Sequence, residues 1–218
     1  MPLVPIHFKG KSNPMTVITP VKRGWGRFLT KVILFIFHHL PLGVVKELAF
    51  IHFARWILIE GDKLPRLSPD QPVEDKWPYD LYLFTTNFNG PWDQYIDAFG
   101  RIHAVSKGLN MLWYTSRGFE GSWPMRHFKR YIHYFENEQH LYYNAYPGAT
   151  VRDIDASTRL NTELEAFLAD TENEMDDAEF GRRYRAFVNQ VSPWLGKSGL
   201  EPEHEALLHR ARPLELSQ

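Results

Sequence analysis

Residues 15–21, Met-Thr-Val-Ile-Thr-Pro-Val, alternate polar and apolar positions and run into Lys-Arg-Gly, the pattern of a half-buried strand. Gly24 and Gly26 mark the turn before a helix over 26–40, which Pro41 ends. The stretch 47–59 is apolar at nearly every position and reads as a central strand covered on both faces. Alternation assigns Phe50, His52, Ala54, Trp56 and Leu58 to one face, and Ile51, Phe53, Arg55, Ile57 and Ile59 to the other. A charged, proline-rich loop fills 61–79, and 80–89 resumes as a strand. Gly90-Pro91 opens a helix whose Trp92, Tyr95, Ile96, Phe99, Ile102 and His103 share a face. Residues 110–119 read as one more strand.

Beyond residue 120 the helical period dominates. Ser122 is a candidate cap for a helix with Met125, Phe128, Ile132 and Phe135 on one side. Residues 140–146 form a short aromatic strand ahead of Pro147-Gly148. Thr150 caps a helix with Ile154, Ser157, Asn161, Leu164 and Leu168 on one side. Thr171 and Glu174 have capping-box spacing before a helix striped with Phe180, Tyr184, Phe187, Val188 and Val191. The expected division is an N-terminal extension 1–14, a core 15–120, a mainly helical extension 121–195 packed on it, and a polar tail 196–218. The fold class is α+β: a ferredoxin-like antiparallel sheet in the order βαββαβ with an added C-terminal helical layer. One sheet face takes the helices. The other needs cover from a partner chain or from the helices after residue 120.

Lys and Arg total 25 against 26 Asp and Glu, so the chain lacks the excess base of a general nucleic-acid binder. It has no cysteine, which removes disulfides, iron–sulfur clusters, thiolate zinc sites and a cysteine nucleophile. Fifteen per cent aromatic residues give 218 residues ample material for a core. The N-terminus does not read as a secretory signal, and the apolar run 32–37 is too short to span a bilayer, which takes about 20 residues. Helix 26–40 is then either a core helix or an interfacial one. The interfacial reading sets Arg23, Arg27 and Lys31 at lipid headgroups and Phe28, Leu29, Phe35 and Phe37 in the acyl boundary. A cytoplasmic protein, free or held at the inner face of the membrane, is expected.

Four segments carry a resemblance: Thr16-Val-Ile-Thr-Pro-Val21, Ile51-His-Phe-Ala-Arg-Trp56, Leu83-Phe-Thr-Thr-Asn-Phe-Asn-Gly90 and Tyr143-Asn-Ala-Tyr-Pro-Gly148. They resemble a largely uncharacterised bacterial family similar to the dimeric α+β-barrel superfamily. That superfamily includes dye-decolorising peroxidases, chlorite dismutases and antibiotic-biosynthesis monooxygenases. The resemblance spans about residues 15–170 and implies a ferredoxin-like barrel with a small-molecule pocket. It does not imply a reaction. The Gly-x-x-Asp-Gly element of the peroxidases is absent.

His52 is a candidate general base or axial haem ligand, or else a hydrogen-bonded core histidine. Arg55 can fork a ligand carboxylate or pair with an acid of its own chain. Asn87 and Asn89 end a strand beside a helix start, where their amides can hold a substrate oxygen or a turn. Trp113, Tyr114, Ser116 and Arg117, with Tyr142, Tyr143 and Tyr146, offer rings and hydroxyls for a flat ligand, or simply a core with polar tips. His204 and His209 stand five apart on a helical pattern and diverge, so no metal site is expected. The first reading is an enzyme or binding protein for a hydrophobic small molecule, oxidoreductase-like in one version. In it His52, Tyr114 and Asn87 act on the ligand, Arg55, Asn89, Trp113, Ser116, Tyr143 and Tyr146 line the site, and haem is the candidate cofactor. The second is a non-catalytic protein whose apolar surfaces serve homodimerisation or a membrane surface, the latter through residues 26–40.

Overall fold

The computed structural model describes residues 11–39, 48–64, 68–71, 76–101, 103–172 and 175–194. Most of the expected N-terminal extension, Glu47, Glu174 and the tail 196–218 lie outside them. The fold is α+β and comprises two compact units, one through Pro147 and one from Gly148 onward. In the first, strands β1 (Ser12–Val21), β2 (Ile51–Ile59), β3 (Asp80–Asn89) and β4 (Glu136–Asn137) form an antiparallel sheet in the order β2-β3-β1-β4. Helix α1 (Trp25–His39) joins β1 to β2. Helices α2 (Trp92–Arg101), α3 (His103–Trp113) and α4 (Met125–Phe135) join β3 to β4.

The alternation in β1 and β3 does what their sequences require. Met15, Val17, Phe84 and Phe88 enter a single core with Ile33 of α1, Tyr95, Ile96 and Phe99 of α2, Leu109, Leu112 and Trp113 of α3, and Phe128, Tyr131 and Ile132 of α4. All four helices therefore spend their apolar stripes on one face of the sheet. Trp113 lies at its centre, edge-on to Phe84 at 5.2 Å and to Phe128 at 5.7 Å. On the other face, among the described residues, Phe53 is 48% and Ile57 38% exposed. The expectation of a sheet buried on both sides is thus corrected for these residues.

Segment 110–119 is not a strand. Leu109, Leu112 and Trp113 are buried at helical spacing in α3, and the only trace of sheet is a bridge between Val21 and Ser116. Bulky Trp and Tyr resemble a strand in sequence, but the i, i+3, i+4 burial decides for helix. The fourth strand is instead the two-residue β4 beside Thr16 and Val17, and 140–146 contains no strand. Ser122 does not cap α4: it is buried and bonded to Asn110 and Ser106, and Pro124 occupies the cap position.

A charged clamp fixes α1 and the loop after β2. Asp80, fully buried at the start of β3, accepts two hydrogen bonds from Arg27 of α1, at 2.6 and 2.7 Å, and one from the Gly61 N–H at 3.0 Å. Arg27 also reaches Asp62 and Glu60. Burial alone would raise the Asp80 pKa, but the Arg27 guanidinium and the Gly61 N–H outweigh it and hold the carboxyl below its ordinary value. Gly61 is required here because a Cβ would lie 2.2 Å from the Tyr79 carbonyl.

The second unit is an antiparallel-type pair, α5 (Val151–Asp170) and α6 (Asp177–Val191). Thr150 caps α5 in a full capping box with Asp153, as its sequence suggests. Thr171 ends α5 rather than starting α6, whose cap is Asp176. The pair is joined by Phe167, which touches Phe180, Tyr184 and Phe187. The predicted stripe Ile154, Leu164, Leu168 is exposed.

Asp80→Ala leaves Arg27 and the Gly61 N–H without their buried acceptor, and is expected to cost roughly 3–5 kcal/mol in urea unfolding. A folded carboxyl held low supports stability above its unfolded pKa and loses that support as pH falls through the folded value. The wild-type urea midpoint therefore drops in acid, and Asp80→Ala drops less steeply.

Candidate functional site

The open face of the sheet is laid out by its register. Directly paired residues share a face, so Arg55–Thr85–Thr16 form one row, Ile57–Leu83–Ile18 the next, and Ile59–Leu81–Pro20 the last. In the other direction come Phe53–Asn87–Pro14 and then Asn89–Ser12. One end of this face is apolar and the other polar, with Arg55 at the border.

His52 joins the polar end because of a defect in β2. The register shifts between Ile51 and Phe53, so a bulge interrupts the alternation. His52 Nε2 lies 3.0 Å from Asn89 Nδ2, beside a residue of the open face. This corrects the expectation that His52 and Arg55 serve opposite faces. The Asn89 amide donates one N–H to the Lys11 carbonyl at 2.9 Å and the other to His52. Nε2 is therefore an acceptor and the ring proton sits on Nδ1, a tautomer assigned from the hydrogen-bond network. Partial burial lowers the His52 pKa, which suits the neutral ring. With its lone pair engaged, His52 offers a donor rather than a base, and haem ligation would require Asn89 to give way. The residues present do not fit an axial haem site.

Asn87 donates to the Tyr142 hydroxyl at 2.9 Å, and Ser12 Oγ lies 3.0 Å from the same oxygen. Tyr142 thus roofs the Ser12 end of the face. Tyr143 and Tyr146, chosen from sequence, are exposed and do not join this group. Of the three tyrosines that the sequence groups here, Tyr142 is the one that joins the site, and no local signal distinguishes it from Tyr143 and Tyr146. Trp113 and Ser116 belong to the opposite, packed face, where Ser116 Oγ meets Thr19 Oγ1 at 3.1 Å. Tyr114 is exposed. The aromatic pocket expected from Trp113, Tyr114, Tyr143 and Tyr146 is therefore not assembled from those side chains.

Arg55 is the exposed cation of this face, and among the described residues it has no acidic partner and no hydrogen bond. Opposite it, Thr85 Oγ1 is buried without a partner. Asp80, Asp62 and Glu60 gather around Arg27 instead.

A second titratable cluster lies at β4. Glu136 pairs in register with Val17, and burial pushes its carboxyl up to about 7. The Trp92 indole N–H approaches closely enough to oppose this slightly without forming a hydrogen bond of normal geometry. His133 Nδ1 lies 3.5 Å from Glu136, its ring stacked on Trp92 at 4.5 Å. Lys129 joins this end of α4 to Asp93 and Asp97 of α2, both at 2.9 Å.

No family model, curated protein or solved structure matches this chain. Among the described residues no three His, Asp or Glu side chains gather as a metal site, and no helix is long and apolar enough to cross a membrane.

A carboxyl held near 7 in the folded chain against an ordinary 4.5 keeps its proton more tightly than when unfolded. Folding stability then falls as pH rises between those values, by roughly 3 kcal/mol at about 1.36 kcal/mol per unit. Glu136→Gln, which mimics the protonated acid, is expected to flatten the urea midpoint across that window.

Proposed function

We propose that this protein binds small hydrophobic carboxylates on the open face of its sheet. Arg55 is the anchor for the carboxylate, and the rows Ile57–Leu83–Ile18 and Ile59–Leu81–Pro20 take the apolar part. The observation that carries the reading is the uncommitted guanidinium at the border of an apolar strip. An arginine can grip a carboxylate with two parallel hydrogen bonds, and its value rises where water is displaced by neighbouring apolar groups. The strip beyond Arg55 runs four residues along β2, about 14 Å at 3.4 Å per residue, which suits a medium-length alkyl or a fused-ring body. The His52 Nδ1–H and the Asn87–Tyr142 pair stand at the polar end as orienting groups. Since the lone-pair nitrogen of His52 is engaged by Asn89, the reading is one of binding rather than of oxidation or acid–base catalysis.

The sheet order supports the ferredoxin-like interpretation. Two split strand–helix–strand units place the first and third strands at the centre and the second and fourth at the edges, as in β2-β3-β1-β4, with α5 and α6 as helices added after the core. That arrangement also motivates a second reading, in which another copy of the chain covers the open face. Exposed Phe53 and Ile57 favour it.

Isothermal titration with decanoate, decanol and a decyl ammonium salt tests the first reading. Decanoate is expected to bind best, and Arg55→Gln to weaken it roughly tenfold or more, as for loss of a charge-assisted pair of about 1.5–3 kcal/mol, while leaving decanol unchanged. Equal decanoate binding by wild type and Arg55→Gln excludes the assignment. A stable dimer by light scattering, with no decanoate binding, favours the second reading.

A further inference from the structure

Helix α1 has a face that the core does not use. Ile33 is buried, and Leu29, Leu34 and Phe37 pack on the core, yet Trp25, Phe28, Phe35 and Ile36 are exposed, Trp25 by 74% and Phe35 by 65%. At 100° per residue, Ile36, Trp25, Val32, Phe28 and Phe35 fall within an arc of about 100° that also holds His39, and Lys31 and His38 border it on one side. The Trp25 and Phe28 rings pair at 5.4 Å near the start of the helix, and those of Phe35 and His39 at 4.2 Å near its end. This differs from the interfacial helix drawn from sequence: Leu29 and Phe37 are spent on the core, and Arg27 on Asp80 and Asp62.

We propose that this strip of α1 docks the protein on an anionic lipid surface, with the helix lying in the plane of the interface. The charge pattern selects this occupant. Residues 11–39 contain Lys11, Lys22, Arg23, Arg27 and Lys31 and no acid. The acids nearest the helix are neutralised: Glu60 by Lys31 and Lys63, Asp62 and Asp80 by Arg27. Lys22, one turn before the helix and exposed, has no acidic partner among the described residues. Around the helix Lys22, Arg23, Arg27, Lys31 and Lys63 face Glu60, Asp62 and Asp80, five bases against three acids, and apolar rings beside this positive excess match the headgroup–acyl boundary, where Trp and Phe insert and Lys reaches the phosphates. Fifteen residues give α1 about 22 Å, so it can lie on a bilayer but not span its hydrocarbon core. This surface is separate from the open sheet face, and the proposal does not rest on the carboxylate reading.

Sedimentation with phosphatidylcholine vesicles, with and without phosphatidylglycerol, tests it on the full chain at low salt. The wild type is expected to pellet with the anionic vesicles and to be released by added salt. Phe28→Ser combined with Phe35→Ser is expected to lower partitioning roughly tenfold or more, because both rings that would leave water on docking are removed. Both rings lie outside the core, so the urea midpoint should hold; Trp25→Ser is the second variant, with the same expected direction. Absence of the wild type from the anionic pellet overturns the proposal, as does undiminished binding by the variants. A dimer by light scattering that the double variant dissociates, without vesicle binding, assigns the strip to a second copy instead.

Discussion

In an antiparallel sheet each strand offers alternate side chains to the two faces, so whichever elements claim one face leave the other to a separate solution. In this chain four helices claim the same face. Met15, Val17, Phe84 and Phe88 meet residues from α1, α2, α3 and α4 in one cluster centred on Trp113. The remaining face keeps a graded surface from Ile59 and Leu81 through Arg55 to Asn87 and Asn89. Its chemistry follows from that imbalance, because an arginine on a covered face would need an internal acid and this one has none among the described residues.

The same imbalance accounts for the clamp around Asp80. Helix α1 lies on the packed face, beside the loop after β2 and the start of β3. Arg27 joins them by gathering Asp80, Asp62 and Glu60, and the Gly61 N–H completes the carboxylate's shell. Anchoring α1 in this way fixes which of its sides faces outward. Buried charge of this kind is costly unless every lone pair is used, and here the acceptors of Asp80 are used. The clamp thus sets the exposure of the α1 rings as well as the end of the sheet.

Much of the scaffold is legible in the sequence. The alternation in 15–21 and 80–89, the stripe of α2 and the Thr150 cap have direct local causes and reappear in the structure. Three features do not have such causes. Segment 110–119 carries strand-like rings whose helical burial depends on the sheet beneath them. The bulge at His52 moves its side chain beside Asn89, and no residue type in Ile-His-Phe announces it. The choice of Tyr142 over Tyr143 and Tyr146 depends on where the chain after β4 passes over Ser12 and Asn87. Arg55 was visible as a residue able to bind a carboxylate, but its lack of an internal partner is a property of the assembled fold.

Because the chain has no cysteine, a single thiol placed at Ile57 reports directly on whether that face is free. Native Ile57→Cys is expected to react with a thiol reagent at nearly the rate measured in urea, and to slow when decanoate is added. Protection by orders of magnitude in the ligand-free monomer would mean that something already covers the strip, and the open-face account would fail.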